Sequence, residues 1–486
     1  MDLQRLSAAG LSRAIHDREV SCVEVMQAHL DRIRAVNPSL NAIVNLAPED
    51  ALLAQAHACD EDLARGLDRG WLHGLPIAIK DAADAKGFPT TRGCELLVDN
   101  MATRDHVMVE RVKAAGAIVI GKTNTPEFGL GSHTFNTVFG ATRNAWDFDV
   151  SAGGSSGGAA VALASGMLPV ADGSDFMGSL RNPAGWNHVF GMRPTQGRVP
   201  SGPPADVRVD QLATEGPMAR TVDDLGRLLA TQAGHDPRLP LSLQSAFEWQ
   251  LPRDPAAGLK GLRIGWLGDL GGYLAMEDGV LEACREGLRA LDIAGAVVEE
   301  ASLGIDLPAL WECWLAWRRA LAGGRLESLM RQPGARDKLK PEAQWEYDCS
   351  RELGLAGFLE ASQARTKYFH QVQALLGAAS TVTAAKTYDV LALPSAQVWP
   401  FPVEERWPKA IAGRAMDTYH RWMEVTIYAT LAGLPAVCVP ASFHRTKGWP
   451  MGLQLIGAYG ADAQVLRVTA GYEAVRGEFL SRRPDL

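Results

Sequence analysis

The chain lacks the cysteine pattern of a disulfide framework or a zinc ribbon. Its seven cysteines are an odd number, and no two of them have the spacing of a Cys-x-x-Cys pair, which is typical of a reducing compartment. Also missing are a run of about 18 apolar residues and a charged-then-apolar leader. We therefore expect no membrane span and an unsecreted, cytoplasmic protein.

Charge and metal-ligand spacing exclude further classes of partner. The 48 basic and 56 acidic side chains leave a net charge of −8, which argues against nucleic acid or an anionic membrane as a partner. No His-x-x-x-His pair or Cys/His cluster occurs, so we predict no metal. What remains is typical of a globular protein, with 47% hydrophobic and 21% charged residues over 486 positions, more than one core usually holds.

Short apolar runs alternate with helical patterns along the chain. The strand candidates are Ile77–Lys80, Ala117–Ile120, Leu168–Ala171, Arg263–Leu267, Val297–Glu300, Val390–Leu393, Ala436–Val439 and Gly452–Ile456. The helix candidates are 22–36 after a capping box at Ser21, Pro48–Ala64, Val107–Ala115, Val222–Ala233, Gly279–Ala294, and Ala463–Val475 after the cap candidate Asp462. This alternation predicts an α/β fold around a central mixed, largely parallel β-sheet.

Two serines in glycine-rich turns and one lysine form the most informative pattern. Ser155 lies in a GGSSGG run, Ser179 follows a glycine twenty-four residues later, and Lys80 ends an apolar strand candidate. A serine hydroxyl is a weak nucleophile that needs a base, and a lysine can be that base only when it is neutral. Burial favours the neutral amine, and the pattern therefore predicts a Ser–Ser–Lys hydrolase.

Other interpretations of these segments stay open at this point. The run at 153–158 alone fits a flexible linker, although an apolar helix-like run over 159–164 follows it directly. A phosphate-binding loop would need a Gly-Lys-Ser/Thr sequence, which does not follow. Asp81 would oppose the neutral form of Lys80 if its carboxylate pointed at the amine.

The three segments resemble the motifs of the amidase signature family. That family carries Gly-x-Pro-x-x-x-Lys-Asp, then Gly-Gly-Ser-Ser-Gly-Gly, then Gly-Ser/Thr-Asp-x-Gly-Gly-Ser-x-Arg. The chain has the matching sequences at 74–81, 153–158 and 173–181, with further similar segments at 121–128, 139–144 and 191–200 and weaker ones at 433–436 and 451–457. The resemblance implies the family's α/β fold, with helices on both faces of the sheet, and an amide hydrolase that needs no cofactor.

The resemblance also implies a role for each matching residue. Ser179 is the nucleophile that becomes acylated, and Ser155, preceded by a cis peptide bond, passes the proton to the base Lys80. The backbone N–H groups of Phe176, Met177, Gly178 and Ser179 form the oxyanion hole. A helix opening at Leu180–Arg181 would also point its free N–H groups at the developing negative charge.

Four further residues are expected to support this site. We predict that Asp175 and Arg181 form a structural clamp that shapes the turn around the nucleophile. We expect Ser174 to hydrogen-bond the proton relay and Ser156 to stabilise its loop.

Met177 is a departure, because the family usually has a second glycine there. A positive φ would strain a methionine. We favour a negative φ, at which the methionine is tolerated and narrows or lines the pocket. The departure then concerns the choice of substrate more than catalysis.

The resemblance implies that the helical region at about 304–380 corresponds to the variable half of the family, where a helical segment of this type often covers the pocket. Trp311, Trp314 and Trp317 follow one another there at i, i+3 and i+6, either as a buried stripe or as a substrate wall. We divide the chain into an N-terminal helical segment over 1–70, the catalytic core over 71–240 and the remainder of the same fold over 241–486.

An amide hydrolase is the leading hypothesis. Its substrate would be a small-molecule carboxamide with an aryl or hydrophobic group, because of Met177 and the nearby aromatic segments. Ester hydrolysis is a side activity to test, and a homodimer stays open. The alternatives are the amidotransferase subunit of a tRNA-dependent complex, whose branch generally keeps Gly-Gly before the nucleophile, and a catalytically silent protein, which has no physical need for Lys80, Ser155 and Ser179 together.

Overall fold

The computed structural model describes residues 2–202, 206–378 and 387–486. Its helices are α1 (Ala8–His16), α2 (Cys22–Leu40), α3 (Glu49–Ala64), α4 (Val107–Ala114), α5 (Gly157–Ala164), α6 (Arg181–Asn187), α7 (Val222–Gln232), α8 (Val280–Ile293), α9 (Leu307–Arg318), α10 (Glu327–Met330), α11 (Pro341–Arg351), α12 (Leu355–Leu375), α13 (Ile427–Leu431) and α14 (Asp462–Leu480). Its strands are β1 (Ile43–Val44), β2 (Pro76–Lys80), β3 (Ile118–Thr123), β4 (Phe135–Asn136), β5 (Gly140–Ala141), β6 (Arg143–Asn144), β7 (Asp147–Ser151), β8 (Val170–Asp175), β9 (Phe190–Arg193), β10 (Thr214–Ala219), β11 (Arg263–Trp266), β12 (Val297–Glu300), β13 (Val390–Pro394), β14 (Ala410–Ile411), β15 (Arg414–Ala415), β16 (Ala436–Phe443) and β17 (Pro450–Ile456). The last two residues of the region predicted to be helical, 379 and 380, lie outside the described residues.

A large mixed sheet is the centre of the α/β fold, as predicted. Its eight strands follow the order β12-β11-β13-β17-β16-β9-β10-β8. The expectation of a largely parallel sheet is wrong, because five of its seven pairings are antiparallel. The two parallel pairings join β11 to β12 and to β13.

The lengths of the connections explain the antiparallel pairings. Strands β16 and β17 are joined by only the six residues 444–449, so they form a hairpin. Parallel neighbours need a crossover of a dozen or more residues, which α8 supplies between β11 and β12. Strand β10 pairs antiparallel with both β8 and β9 and lies between them. We predicted neither β9 nor β10.

A smaller sheet brings Lys80 to the large one. It has the order β1-β3-β2, with β2 parallel to β3 and Lys80 at the end of β2. The backbone N–H of Lys80 donates to Oδ1 of Asp172 in β8, 3.1 Å away. The end of β2 therefore lies against the edge strand of the large sheet, and one hydrophobic core includes side chains from all three predicted segments of the chain.

Local sequence signals placed most helix boundaries correctly. Ser21 and Glu24 form the predicted capping box at the start of α2. The interpretation of Asp462 as a cap is wrong, because this residue is the first of α14 and its carboxylate accepts hydrogen bonds from Thr195 instead.

All seven cysteines are described and unpaired. Among the described helices, none combines the length and the apolar character needed to cross a bilayer.

Gly158, the last residue of the GGSSGG run, packs so closely against neighbouring backbone that it leaves no room for a side chain. A Cβ atom there would lie 2.4 Å from the backbone N of Asn124 and 2.6 Å from the backbone O of Ala42. We predict that Gly158→Ala lowers the free energy of unfolding by about 1–3 kcal/mol, because backbone must move to admit the methyl group.

The matched control is Gly357→Ala in α12, where the nearest atom to an added Cβ is 4.0 Å away. This variant should gain about 0.5–1 kcal/mol from helix propensity. Urea unfolding of both variants measures the difference, and equal stabilities would contradict the packing argument.

Candidate active site

The amine of Lys80 lies among three serine hydroxyls. Its Nζ is 2.7 Å from Oγ of Ser155 and 2.9 Å from Oγ of both Ser156 and Ser174. Ser155 and Ser156 precede α5, and Ser174 lies in β8. Ser156 and Ser174 therefore both contact the amine directly. For Ser156, this contact adds to the expected role of stabilising its loop.

Burial dominates the electrostatics of this amine. The Lys80 residue is only 1% exposed. Burial lowers the pKa of Lys80 to about 8, although the negative charges of Glu215, Asp172 and Asp175 act in the opposite direction. Burial also raises the pKa of Asp172 to about 6. A pKa of about 8 leaves about a tenth of Lys80 neutral at pH 7, far more than for a lysine of ordinary pKa.

The Asp81 carboxylate does not point at this amine. It accepts hydrogen bonds from the backbone N–H and the hydroxyl of Thr91. Its nearest cation is Lys122, whose Nζ lies 3.9 Å from Oδ1. Asp81 is therefore not placed to stabilise the protonated form of Lys80.

The turn before Ser155 is held from a neighbouring loop. The peptide bond between Gly154 and Ser155 is cis, in agreement with the resemblance. The Ser132 hydroxyl donates to the Gly154 carbonyl and the Thr134 hydroxyl to the Gly153 carbonyl, each at 2.8 Å. Nothing in the sequence singled out Ser132 and Thr134 as anchors of this turn.

Ser179 lies in the turn between β8 and α6, next to the Ser155 turn. Its backbone carbonyl accepts a hydrogen bond from the Ser156 N–H at 3.2 Å. Within the described residues, the Ser179 hydroxyl makes no hydrogen bond, to Ser155 or to any other group. The structure therefore brings Lys80 and Ser155 into contact, and it places Ser179 in the adjacent turn.

Asp175 and Arg181 form the ion pair that was expected in the turn around Ser179. Nε and Nη2 of Arg181 donate to the two carboxylate oxygens of Asp175 at 2.9 and 2.8 Å. Both side chains are fully buried. Burial favours protonation of this carboxyl, but the charge and hydrogen bonds of Arg181 outweigh it and hold the pKa of Asp175 well below its usual range. The carboxylate stays charged and can organise the turn.

The Asp175 carboxylate accepts a hydrogen bond from one of the four N–H groups that were predicted to form the oxyanion hole. The N–H of Gly178 donates to Asp175 at 3.0 Å. The N–H groups of Phe176, Met177 and Ser179 donate to no described residue. The structure thus leaves three of the four predicted donors available, and Gly178 supplies the turn, with φ of 83°, instead of a donor.

The expectation for the helix N-terminus is also corrected. Helix α6 begins at Arg181 as predicted, but the N–H groups of Arg181 and Asn182 donate to the Gly178 carbonyl at 2.9 and 2.7 Å. The N–H of Leu180 donates to Asp175. These groups close the turn on itself and are not available to an oxyanion.

Met177 has a negative φ, as we favoured, because it is not among the described residues with positive φ. Its side chain is buried and packs in the hydrophobic core. Phe176 is partly exposed beside it, and its ring centroid lies 5.3 Å from that of Trp314 in α9. The tryptophan pattern of α9 is therefore a buried stripe that also supports the loop before Ser179.

Two residues near the site carry no recognisable signal in the sequence. Thr426 lies against Gly178, where an added Cβ would be 2.5 Å from its Cγ2, and its carbonyl accepts a hydrogen bond from Arg181. Glu215 stands opposite Ser174 in the pairing of β10 with β8. No group of three or more His, Cys, Asp or Glu side chains in the described part of the chain is arranged to hold a metal ion.

Comparison with known proteins finds relatives along nearly the whole chain. The family description "Amidase" matches residues 24–466. The chain is 34% identical over 493 residues to an acylamidase of Rhodococcus erythropolis, covering 98% of this chain and 96% of the relative. It is 31% identical over 498 residues to a glutamyl-tRNA(Gln) amidotransferase subunit of Alkaliphilus metalliredigens, covering 99% of this chain and 98% of the relative.

The fold is similar to that of a solved bacterial aryl acylamidase described as belonging to the amidase signature enzymes. The TM-score is 0.89 at 27% sequence identity, and the match covers 99% of both chains.

The Asp175–Arg181 pair should dominate the stability of the site. We predict that Asp175→Asn lowers the free energy of unfolding by about 3–5 kcal/mol, because it leaves two arginines, Arg181 and Arg193, buried without their charge partner. The wild type should lose this advantage as the pH falls through the lowered pKa of Asp175, because the stabilising form is the carboxylate.

The matched control is Asp348→Asn, because Asp348 and its partner Arg336 are both about half exposed. Its loss should not exceed about 1 kcal/mol. Urea unfolding at several pH values compares the two variants, and equal losses at neutral pH would contradict the assignment of Asp175 as the organising charge.

Proposed function

Because this chain belongs to the amidase signature family, we propose that it hydrolyses the C–N bond of small carboxamides through an acyl intermediate on Ser179. The observation that carries the proposal is the 2.7 Å contact between Nζ of the buried Lys80 and Oγ of Ser155. A lysine of lowered pKa can accept a proton from that hydroxyl.

The proposed reaction begins with proton transfer. Neutral Lys80 takes the proton of Ser155, Ser155 takes that of Ser179, and the Ser179 oxygen attacks the substrate carbonyl. The free N–H groups of Phe176, Met177 and Ser179 stabilise the oxyanion that forms.

The intermediate then collapses with cleavage of the C–N bond. The proton held by Lys80 returns through Ser155 to the leaving amine. Water attacks the acyl group on Ser179 by the same relay, the acid leaves, and both serines regain their protons. The step needs no cofactor, and an ester would follow the same course.

An aryl or hydrophobic group in the substrate fits the surroundings of Ser179. Phe176 is partly exposed in the loop before Ser179, and Trp314 packs against its ring. Burial of an apolar group against these side chains favours binding, whereas a charged group would lose its hydration there.

An amidotransferase subunit is the second candidate, because a relative of that name matches nearly the full length of the chain. That activity would use glutamine as the amide and would need partner subunits. Glutamine therefore belongs in the substrate panel beside aryl and aliphatic amides.

We predict that the purified chain releases amine or ammonia from an aryl amide and that Ser179→Ala lowers kcat at least about 10⁴-fold, because the nucleophile is lost. Ser165→Ala is the matched control. Ser165 is a buried serine at the end of α5 whose hydroxyl donates to the Val161 carbonyl, and its loss should leave kcat unchanged.

The measurement is amine release from the panel by the three proteins. Retained turnover in Ser179→Ala would refute the assignment of the nucleophile. Hydrolysis of glutamine alone would favour the amidotransferase, and full inactivity without labelling by a serine-reactive phosphonate would favour a silent protein.

The rate should depend on pH through Lys80. Below its lowered pKa the amine is protonated and cannot accept a proton, so kcat/KM should rise with pH and level off above about 8. Lys80→Arg should be inactive across the range, because a guanidinium does not deprotonate. Lys113→Met, which alters a partly exposed lysine paired with Asp105, should keep the wild-type profile. A midpoint near 10.4, the value of an ordinary lysine, would contradict the role of burial.

A further inference from the structure

A buried arginine lies directly behind the loop that precedes Ser179. Arg318 ends α9 and is 2% exposed. Its Nε donates to Oε1 of Glu346 in α11 at 2.6 Å, and its Nη2 donates to the hydroxyl of Tyr419. The Tyr419 hydroxyl donates in turn to the same Glu346 oxygen at 2.7 Å. Two segments outside α9 therefore hold the guanidinium in one orientation.

The remaining side of the guanidinium faces the loop. Nη1 of Arg318 lies 3.7 Å from Sδ of Met177, and Cζ lies 5.7 Å from the ring centroid of Phe176. A thioether is a weak acceptor, and an aromatic ring attracts a cation placed over its face. The ring of Trp314 packs against Phe176 as well. The side chains of Phe176 and Met177 are thus held by α9, and both belong to residues whose N–H groups are free.

The contact between Arg318 and the loop at position 177 exists because the chain has a methionine there. The family motif usually has glycine at this position, and a glycine offers no side chain that a second element could hold. With Met177, the backbone at this position is connected through Sδ to Arg318, and through Arg318 to Glu346 and Tyr419.

We propose that Arg318 is a positioning residue for the oxyanion hole, which it keeps in shape by holding the side chains of Phe176 and Met177. The inference rests on the proposed function of Ser179. Arg318 does not serve as a receptor for a substrate carboxylate, because Glu346 already neutralises its charge and takes its Nε.

A test must avoid leaving one charge of this buried pair alone, since that would destabilise the fold. The paired variant Arg318→Met/Glu346→Gln removes both charges together. We expect kcat to fall about 10- to 100-fold, less than or equal to the loss of one oxyanion donor, while KM changes less than about threefold. A trifluoromethyl ketone, which forms an anionic tetrahedral adduct on Ser179, should bind more weakly by the same factor as kcat.

A second variant tests whether the effect passes through Met177. In a Met177→Gly background, the paired change should have a smaller further effect on kcat and ketone affinity, because only the contact of Arg318 with Phe176 remains to be lost. Met177→Leu keeps the volume and removes the sulfur acceptor, so its loss should be smaller than that of the paired variant.

The control for a merely structural role is Arg365→Met in α12. Arg365 is partly buried, stacks on Trp317 with Cζ 4.6 Å from the ring centroid, and donates to the Leu431 carbonyl. The Arg365→Met variant should have a lower unfolding midpoint than the wild type and the same kcat.

Two results would overturn the proposal. One is a paired variant that unfolds more easily but keeps wild-type kcat and ketone affinity. The other is an equal effect of the paired change with Met177 and with Gly at position 177.

Failure of the proposed function would look different from failure of this inference. In that case Ser179→Ala would keep the amide turnover of the wild type. If the wild type hydrolysed no amide of the panel, the ketone affinities of the same variants would still decide whether Arg318 shapes the hole.

Discussion

Exclusion of water from a single amine is the constraint on which the site depends. A lysine exposed to solvent stays protonated near neutral pH and cannot act as a base. The pKa of Lys80 is lowered because β2 ends against the edge of the large sheet, where the amine is buried. Three hydroxyls surround Nζ there, and no carboxylate of the described residues contacts it directly. Hydroxyls satisfy the hydrogen bonds of the amine without adding a charge that would keep its proton. The neighbouring Asp81 is turned toward Thr91 and Lys122 by the same packing.

A second buried charge, that of Asp175, organises the turn that carries Ser179. Its carboxylate joins the end of β8 to α6 through Arg181, accepts the N–H groups of Gly178 and Leu180, and contacts Arg193 in β9. One side chain therefore decides which N–H groups point into the turn and which stay free. This is why Phe176, Met177 and Ser179 remain as donors, whereas Gly178 does not.

Several features could be predicted from the sequence because they follow from nearby residues. The capping box at Ser21, the helix after the GGSSGG run and the strand that ends at Lys80 each depend on signals within a few positions. The sheet was harder to predict. Strand β10 inserts between β8 and β9, and no local signal tells a strand which neighbours it will have. The first N–H groups of α6 were expected to point at the developing negative charge but donate to the Gly178 carbonyl, because a sequence does not show which acceptor lies within their reach.

The sequence by itself determined the kinds of groups present: a lysine at the end of an apolar strand, two serines on glycine turns, and a methionine where glycine is usual. Those choices are local, since they depend on residue type and short spacing. The tertiary structure alone decided which groups meet. Lys80 and Ser155 are 75 residues apart and Arg318 and Met177 are 141 residues apart, and packing of distant elements is what places each pair in contact. Burial is a property of the whole fold, so the lowered pKa of Lys80 and the hold of Arg318 on Met177 become visible only when the chain is folded.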